Sequence, residues 1–259
     1  MSRFTSLPVA LQQAMSGRRL LKVIAGLANF DAAAVERVAR AAAAGGADLI
    51  DIACDPGLVQ LAARVSNLPI CVSAVDPELF PAAVAAGASL VEIGNYDSFY
   101  PQGRVFDAGE VLALTHRTRD LLPQVVLSVT VPHTLPLDQQ EQLAVELVAA
   151  GADLIQTEGG TSARPFSPGR LGLIEKAAPT LAAAHALSRA VTVPVLCASG
   201  LTDVTVPMAI AAGAAGVGIG SAVNRLTDEL AMVAVVRGLR QALAAQPQEQ
   251  PVLADAQRS

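Results

Sequence analysis

The chain has 259 residues, of which 16% are charged and 52% hydrophobic. This suits one all-β or α/β domain and excludes collagen, coiled coil and a disordered chain. A net charge of -5 and a pI near 5.2 argue against general nucleic-acid binding, so small molecules are the expected partners. The three cysteines form no CxxC pair and have no neighbouring histidine, so we predict no zinc site or disulfide framework and expect a cytoplasmic location.

The mean hydropathy of +0.45 raises the question of a membrane span. The one uncharged stretch long enough to cross a bilayer is residues 204–224. It contains Pro207 and several glycines, which predict a loop, a short helix, a strand and a glycine-rich turn instead. We therefore expect no membrane partner.

One sequence pattern recurs along the chain: an alanine-rich helical run, a glycine and an apolar run. It occurs at residues 44–50, 86–91, 150–155 and 212–217. Glycine takes the left-handed conformation that ends a helix, and a short Leu/Ile/Val run suits a strand buried on both faces. Each repeat therefore predicts a helix end followed at once by a strand.

Four further apolar runs bring the predicted number of strands to eight, at 20–25, 69–74, 125–131 and 194–198. Helices are predicted at 31–44, 56–65, 77–86, 107–121, 138–150, 169–189, 203–212 and after residue 221. Eight strands, each followed by a helix, predict a single (β/α)8 TIM barrel over residues 20–245. Residues 1–19 are then an N-terminal lead-in and residues 246–259 a disordered tail. No GxGxxG follows the first strand, so no dinucleotide site is predicted.

Charged residues occur inside the first, second and fourth predicted strands, as Lys22, Asp51 and Glu92. A charge there must find partners in the barrel interior or reach the solvent at a strand end. Lys22 has three open roles: a buried structural ion pair with the two carboxylates, an anchor for substrate, or an amine nucleophile that forms a Schiff base. Lys22 and Glu92 are therefore candidate catalytic residues, and Asp51 is a candidate substrate ligand.

In such a barrel the residues just after each strand form the working face. Asn29 follows the first strand, where a turn or helix-cap role also explains it. The loop at 93–103 after the fourth strand gathers both tyrosines of the chain and includes Asn95, a further candidate substrate ligand. This loop either forms a wall or lid that stacks on a planar ligand, or seals the top of the barrel.

The fifth and sixth strands end in polar residues. His133 lies between two prolines and is a candidate general acid or base, although it can equally fix its loop by a hydrogen bond. Glu158 is a candidate catalytic carboxylate in a glycine-containing loop of the closing type. The candidate substrate ligands on these two segments are Ser128, Thr130, Gln156 and Arg164, the last for an acidic substrate group.

The last two strands end in glycine-rich turns that resemble the phosphate grip of many barrels. Main-chain amides can approach an anion where glycine leaves room, and a helix that opens at Ser221 would add its positive dipole end. The candidate phosphate ligands are Ser199, Gly200, Gly218, Gly220 and Ser221. The alternative is that these glycines only permit close packing. The phosphate could belong to a sugar, a cofactor or flavin mononucleotide.

Several longer strings resemble the Ycf23 family of cyanobacteria and algal plastids, over about residues 20–225. They are KVIAGL at 22–27, VEIGN at 91–95, SVTVPHTLPLD at 128–138, QTEG at 156–159, CASGL at 197–201 and GIGSAVN at 218–224. The resemblance implies a barrel fold and leaves the reaction open.

Three functions are therefore compatible with the sequence. The first is a lyase, aldolase-like enzyme or isomerase that acts on a small phosphorylated metabolite. The second is a barrel that holds flavin mononucleotide or a phosphometabolite without turnover. The third is a scaffold whose alanine-rich helices form a homo-oligomer. No metal site is predicted, since Asp51, Glu92 and Glu158 would hold Mg²⁺ only if they converge.

Overall fold

A computed structural model describes residues 3–160 and 163–244 of the chain. Eight parallel strands form a closed barrel in which each strand pairs with the next and the last pairs with the first. In chain order they are β1 (Leu20–Gly26), β2 (Leu49–Ala53), β3 (Ile70–Ala74), β4 (Leu90–Ile93), β5 (Val126–Thr130), β6 (Leu154–Gln156), β7 (Val195–Ala198) and β8 (Gly216–Ile219). The predicted (β/α)8 TIM barrel is confirmed.

The helices surround this barrel. They are α1 (Val9–Ser16), α2 (Ala32–Gly45), α3 (Pro56–Val65), α4 (Phe80–Ala85), α5 (Ala108–Leu121), α6 (Leu137–Ala149), α7 (Gly169–Ala190), α8 (Val206–Ala211), α9 (Ser221–Asn224) and α10 (Glu229–Ala244). Short 3₁₀ turns occupy Arg3–Ser6, Pro77–Leu79, Tyr96–Ser98 and Tyr100–Gln102. The predicted tail at 246–259 lies outside the described residues.

The uncharged stretch at 204–224 folds into α8, β8 and α9, as Pro207 and its glycines predict. Among the described residues, no helix combines the length and the apolar character that a bilayer crossing requires. The three cysteines, Cys54, Cys71 and Cys197, are buried and form no disulfide.

Local capping explains where several helices begin and end. Asp31 accepts backbone N–H bonds from Ala33 and Ala34 at the start of α2, and Asp55 caps α3 in the same way. Gly46 ends α2 at a φ of +86°, in the left-handed region that glycine favours. The recurrent alanine–glycine pattern therefore coincides with helix ends in the structure.

The amino-terminal end of the barrel is closed by α1. Leu11, Ala14 and Met15 of this helix are buried against the first residues of the strands, including Leu20 and Leu154. The predicted lead-in at 1–19 is thus a packed plug over its described part. Since this end is closed, the carboxyl ends of the strands are left for a binding site.

Candidate functional site

A cavity of about 170 Å³ lies at the carboxyl ends of the strands. Its lining comes from the ends of β1, β5, β6 and β7 and from the loops after β1, β4, β6, β7 and β8. The lining residues are Ile24, Gly26, Leu27, Asn95, Asp97, Ser98, Thr130, Gln156, Thr157, Glu158, Ala198, Ser199, Gly200, Leu201, Gly220, Ser221 and Asn224. This is where the active site of a barrel enzyme is expected.

A buried ion-pair cluster lies inside the barrel, and none of its three charged residues lines the cavity. Lys22 Nζ is 2.7 Å from Glu92 Oε2 and 3.2 Å from Asp51 Oδ2. Ser73 Oγ donates to Asp51 at 2.6 Å, and Ser128 Oγ donates to Glu92 at 2.7 Å. Each charge is therefore paired and hydrogen-bonded, as burial demands.

The same neighbours set the charge of Lys22. Burial alone would lower the pKa of its amine, but the facing carboxylates of Glu92 and Asp51 outweigh burial and raise it above the ordinary value. A Schiff base requires a neutral amine, so this geometry favours the ion pair over the nucleophile. Neither Lys22 nor Glu92 lines the cavity, and the catalytic roles predicted for them stay predictions.

Glu92 connects this cluster to the cavity through two amides. Its Oε1 accepts from Gln156 Nε2 at 2.7 Å and from Asn95 Nδ2 at 3.2 Å. Asn95 Nδ2 also lies 3.1 Å from Ser73 Oγ, and Gln156 Nε2 lies 3.3 Å from Thr130 Oγ1. Gln156 Oε1 is buried and receives no hydrogen bond within the described residues.

Glu158 is the buried carboxylate of the cavity wall. Its Oε1 accepts from the Tyr100 hydroxyl and from the His133 backbone N–H at 3.3 Å, and His133 Nδ1 lies 3.4 Å away. Its Oε2 is buried and receives no hydrogen bond within the part of the chain that the structure describes. Burial, and next the charge of Asp97, raise the pKa of Glu158 above its ordinary value.

The pKa of His133 is also raised. Burial alone would lower it, but the hydrogen bond to Glu158 and the charge of that carboxylate more than compensate. The Tyr100 ring meets the imidazole edge to face, with the centroids 5.0 Å apart. His133 does not line the cavity, and its predicted role as a general acid or base stays a prediction.

Two groups of side chains have the composition of a metal site. Ligand atoms of Asp97, His133 and Glu158 lie within 4.8 Å of one another at the cavity, and those of Asp51, Cys71 and Glu92 do so in the interior. The second group already surrounds the Lys22 ammonium. The sequence-based trio of Asp51, Glu92 and Glu158 does not converge in either group.

The loop after β7 has the backbone that an anion site requires. Ser199 and Gly200 have φ values of +78° and +75°, and a positive φ at a serine is uncommon and costs energy. The backbone amides of Gly200 and Leu201 donate to no acceptor within the described residues. Gly160 packs closely against this loop. A Cβ at position 160 would lie only 2.5 Å from the Ser199 carbonyl oxygen.

The two remaining phosphate candidates have different positions. Gly220 and Ser221 line the cavity, but α9 has only four residues, so the helix dipole that we expected at Ser221 is small. Gly218 lies within β8 and does not line the cavity. A Cβ at Gly218 would lie 3.0 Å from the Ala198 Cβ, which supports close packing as its role.

The structure therefore brings together part of the predicted site. The predicted residues that line the cavity are Asn95, Thr130, Gln156, Glu158, Ser199, Gly200, Gly220 and Ser221. Those that do not are Lys22, Asn29, Asp51, Glu92, Ser128, His133, Arg164 and Gly218. Asp51 and Ser128 serve the ion-pair cluster instead. Asn29 donates to the Ala25 carbonyl and accepts from the Asp31 amide, as a turn residue does, and Arg164 is exposed.

Sequence reasoning missed Asp97, whose Oδ2 accepts from Ser199 Oγ at 3.3 Å. This contact joins the loops after β4 and β7 across the cavity. The aromatic residues of the first loop mostly pack inward: Tyr96 is buried and stacks on Phe106 with centroids 4.5 Å apart. The loop thus forms a cavity wall through Asn95, Asp97 and Ser98 rather than an aromatic stack.

Comparison with known proteins identifies a family and several relatives that are similar to this chain. A family model described as "Protein of unknown function (DUF561)" matches residues 7–249 of the chain. A relative from Cyanophora paradoxa, "Uncharacterized protein ycf23", is 46% identical over 217 residues, which cover 83% of this chain and 89% of that protein. This glaucophyte source fits the distribution that the resemblance implied.

Two solved structures share the fold at low identity. A 3-hexulose-6-phosphate synthase has a TM-score of 0.60 and 19% identity and covers 86% of this chain and 99% of its own. An (S)-3-O-geranylgeranylglyceryl phosphate synthase from Thermoplasma acidophilum, solved with its substrate sn-glycerol-1-phosphate, has a TM-score of 0.55 and 14% identity and covers 92% and 99%. At these identities the likeness establishes the barrel fold alone.

Proposed function

The chain belongs to the DUF561 family, whose curated relatives carry the name ycf23, and we propose that it is a phosphate-binding TIM-barrel enzyme that acts on a small phosphorylated metabolite. The observation that carries this proposal is the loop at Ser199 and Gly200, which lines the cavity with a positive φ at a serine and with amides that find no acceptor among the described residues. Strained backbone of this kind clusters at functional sites, and successive unpaired N–H groups bind anions.

The charges of the cavity constrain how the phosphate is held. Among the described residues, the lining includes Asp97 and Glu158 but no lysine or arginine. The phosphate must therefore bind to neutral donors, which we assign to the amides of Gly200 and Leu201 and the hydroxyl of Ser221. The rest of the metabolite then faces Glu158, away from the loop after β7. The two barrel enzymes of similar fold carry phosphate-containing substrates or products in their names, in keeping with this assignment.

Glu158 is the residue that we assign to proton transfer. Its Oε2 is buried without a hydrogen-bond partner in the described chain, and its raised pKa lies closer to neutrality than that of a free carboxylic acid. Tyr100 and His133 hold the other oxygen, so they are positioning residues. A lyase or isomerase on a phosphorylated carbonyl compound needs one such group to move a proton beside the carbonyl. Lys22 takes no covalent role in this scheme.

The alternative is a barrel that binds a ligand without turnover, and flavin mononucleotide is the cofactor considered for it. A cavity of about 170 Å³ is smaller than the roughly 300–1,000 Å³ of pockets that enclose drug-sized ligands. This size supports a small metabolite over a flavin.

Isothermal titration with inorganic phosphate and sn-glycerol-1-phosphate tests the proposal. We expect both to bind the full chain, and Ser221→Asp to weaken both by at least tenfold because it places a carboxylate against the phosphate. Ser16→Asp is the matched control, since Ser16 is exposed on α1 at the opposite end of the barrel. Absence of any phosphate binding, or equal losses in the two variants, would refute the phosphate site.

Turnover requires a second measurement. Phosphorylated aldehydes and ketones incubated with the protein in deuterated water should exchange the hydrogen beside the carbonyl, as followed by proton NMR. Glu158→Gln should abolish this exchange while it leaves phosphate affinity within about threefold. Phosphate binding without exchange on any such compound would support the binding-only alternative.

A further inference from the structure

Gln156 is a cavity residue whose side-chain amide is oriented by the buried carboxylate of Glu92. An amide side chain can usually rotate to offer either its oxygen or its NH₂ group to a ligand. Here Nε2 lies 2.7 Å from Glu92 Oε1, and a carboxylate oxygen accepts only. The NH₂ group must therefore face Glu92, and Oε1 must face the other way.

The ion pair with Lys22 supports this orientation. Lys22 Nζ lies 2.7 Å from Glu92 Oε2, so a second donor faces this carboxylate from the barrel interior. Ser128 Oγ donates to the same oxygen at 2.7 Å. Lys22 and Glu92 are thus positioning residues that act on the cavity through the amide of Gln156.

One side of Gln156 Oε1 packs closely against Gly218 of β8. A Cβ on Gly218 would lie 3.2 Å from this oxygen and 3.1 Å from Ile24 Cδ1. Ile24 and Gln156 both line the cavity, whereas Gly218 does not. The oxygen itself is buried, and no described residue donates to it. An unsatisfied buried acceptor is costly, and a ligand that donates to it removes that cost.

The side-chain amide of Asn95 is oriented in the same way, with its NH₂ group toward Glu92. Its Nδ2 donates to Glu92 Oε1 and Ser73 Oγ, so its Oδ1 is directed away from the ion-pair cluster. Two amide oxygens at one side of the cavity therefore offer acceptors, whereas the loop at Gly200 offers backbone donors. A ligand that satisfies both sides carries an anionic group at one end and O–H or N–H groups at the other.

We propose that the floor of this cavity selects a small organic phosphate with a hydrogen-bond donor, a hydroxyl or an amine, that binds Gln156 Oε1. This inference rests on the proposed phosphate site and narrows its ligand class to polyol, sugar or amino phosphates. Phosphorylated carboxylates and alkyl phosphates are disfavoured, because they present acceptors or apolar groups to an amide oxygen.

The test compares matched probes by titration calorimetry: sn-glycerol-1-phosphate, phosphoethanolamine, propyl phosphate and inorganic phosphate. We expect at least one donor-bearing probe to bind on the order of tenfold more tightly than propyl phosphate. The tighter of the two donor probes distinguishes a hydroxyl from an amine. Equal affinities for all three organic phosphates would overturn the inference and leave the phosphate site intact, whereas no binding of any probe would reject the phosphate site itself.

A variant at Gln156 tests whether this residue causes the preference for donor-bearing probes. Gln156→Met removes the amide at similar size and should reduce the donor preference to about onefold, with propyl phosphate affinity retained. Gln140→Met is the matched control, because Gln140 is also buried and donates to the Leu135 carbonyl outside the cavity. It should keep the preference. If Gln156→Met does not fold, the probe series on the natural sequence still decides. Binding that requires Mg²⁺ and vanishes in EDTA without any donor preference would assign the acceptors to a cation and overturn the inference.

Discussion

Lys22 and Glu92 form an ion pair of 2.7 Å in which the two side chains are 1% and 0% exposed. Removal of one partner from such a pair leaves an uncompensated buried charge, which typically costs 3–5 kcal/mol. We therefore expect Lys22→Met to lower the free energy of unfolding by roughly that amount at pH 7. Urea unfolding followed by circular dichroism measures it.

Lys176→Met is the control for that variant, since Lys176 is the other lysine of the chain and is only half-buried. Its substitution should change the free energy of unfolding by less than about 1 kcal/mol. If Lys22→Met proved as stable as Lys176→Met, the buried ion pair would contribute no net stability to the fold.

Lys22 should also form no imine at neutral pH. Its pKa is raised by Glu92 and Asp51 against the effect of burial, and the amine does not line the cavity. Incubation with dihydroxyacetone phosphate and borohydride, followed by peptide mass spectrometry, should give no reduced adduct on Lys22. A stoichiometric adduct at this residue would restore the Schiff-base mechanism and reject the ion pair as the resting state.

Much of the fold follows from local sequence. Glycine ends α2 at Gly46, and Asp31 and Asp55 cap the helices that follow β1 and β2. Such signals act within a few residues, so they can be recognised without knowledge of the tertiary structure. The same holds for residues that directly follow a strand, and for this reason Glu158 and Ser199 were predicted at the cavity.

The depth of a residue inside the barrel is a different matter. Lys22 pairs in register with Gly218 of β8 and Leu49 of β2, and this register sets its distance from the cavity. Barrel register depends on the stagger of all the strands, which no local pattern records. Asp97 was missed for a related reason: its contact with Ser199 joins two loops that are 102 residues apart in sequence.

His133 should titrate above its ordinary pKa of 6.5, because Glu158 raises it despite burial. Since the folded-state pKa is the higher one, the pair contributes its full stability below pH 6.5 and loses it as the pH rises through the folded-state value. NMR of the imidazole protons gives the midpoint. Glu158→Gln should lower that midpoint, whereas Glu146→Gln, a change at a half-buried position on α6, should leave it in place. An unchanged midpoint in Glu158→Gln would mean that this carboxylate carries no charge at neutral pH.

The backbone conformation of the loop after β7 should matter both for stability and for phosphate binding. Gly200 has a φ of +75°, and a Cβ there would lie 2.9 Å from Gly160 Cα. An alanine therefore meets both the left-handed penalty of roughly 1–2 kcal/mol and a backbone clash. We expect Gly200→Ala to lower the free energy of unfolding by about 1–3 kcal/mol and to weaken phosphate binding, because the amides of the loop must move. Thermal and urea unfolding with parallel phosphate titration measure both effects.

Gly238→Ala makes the comparison specific to the loop. Gly238 lies inside α10, and a Cβ there would meet no atom within 4 Å, so alanine should stabilise the helix by roughly 0.5–1 kcal/mol and leave phosphate affinity unchanged. The two glycine variants should thus move stability in opposite directions. If Gly200→Ala were as stable as the natural chain and bound phosphate equally well, the positive φ would not be required by the fold, and the loop would lose its place as the phosphate grip.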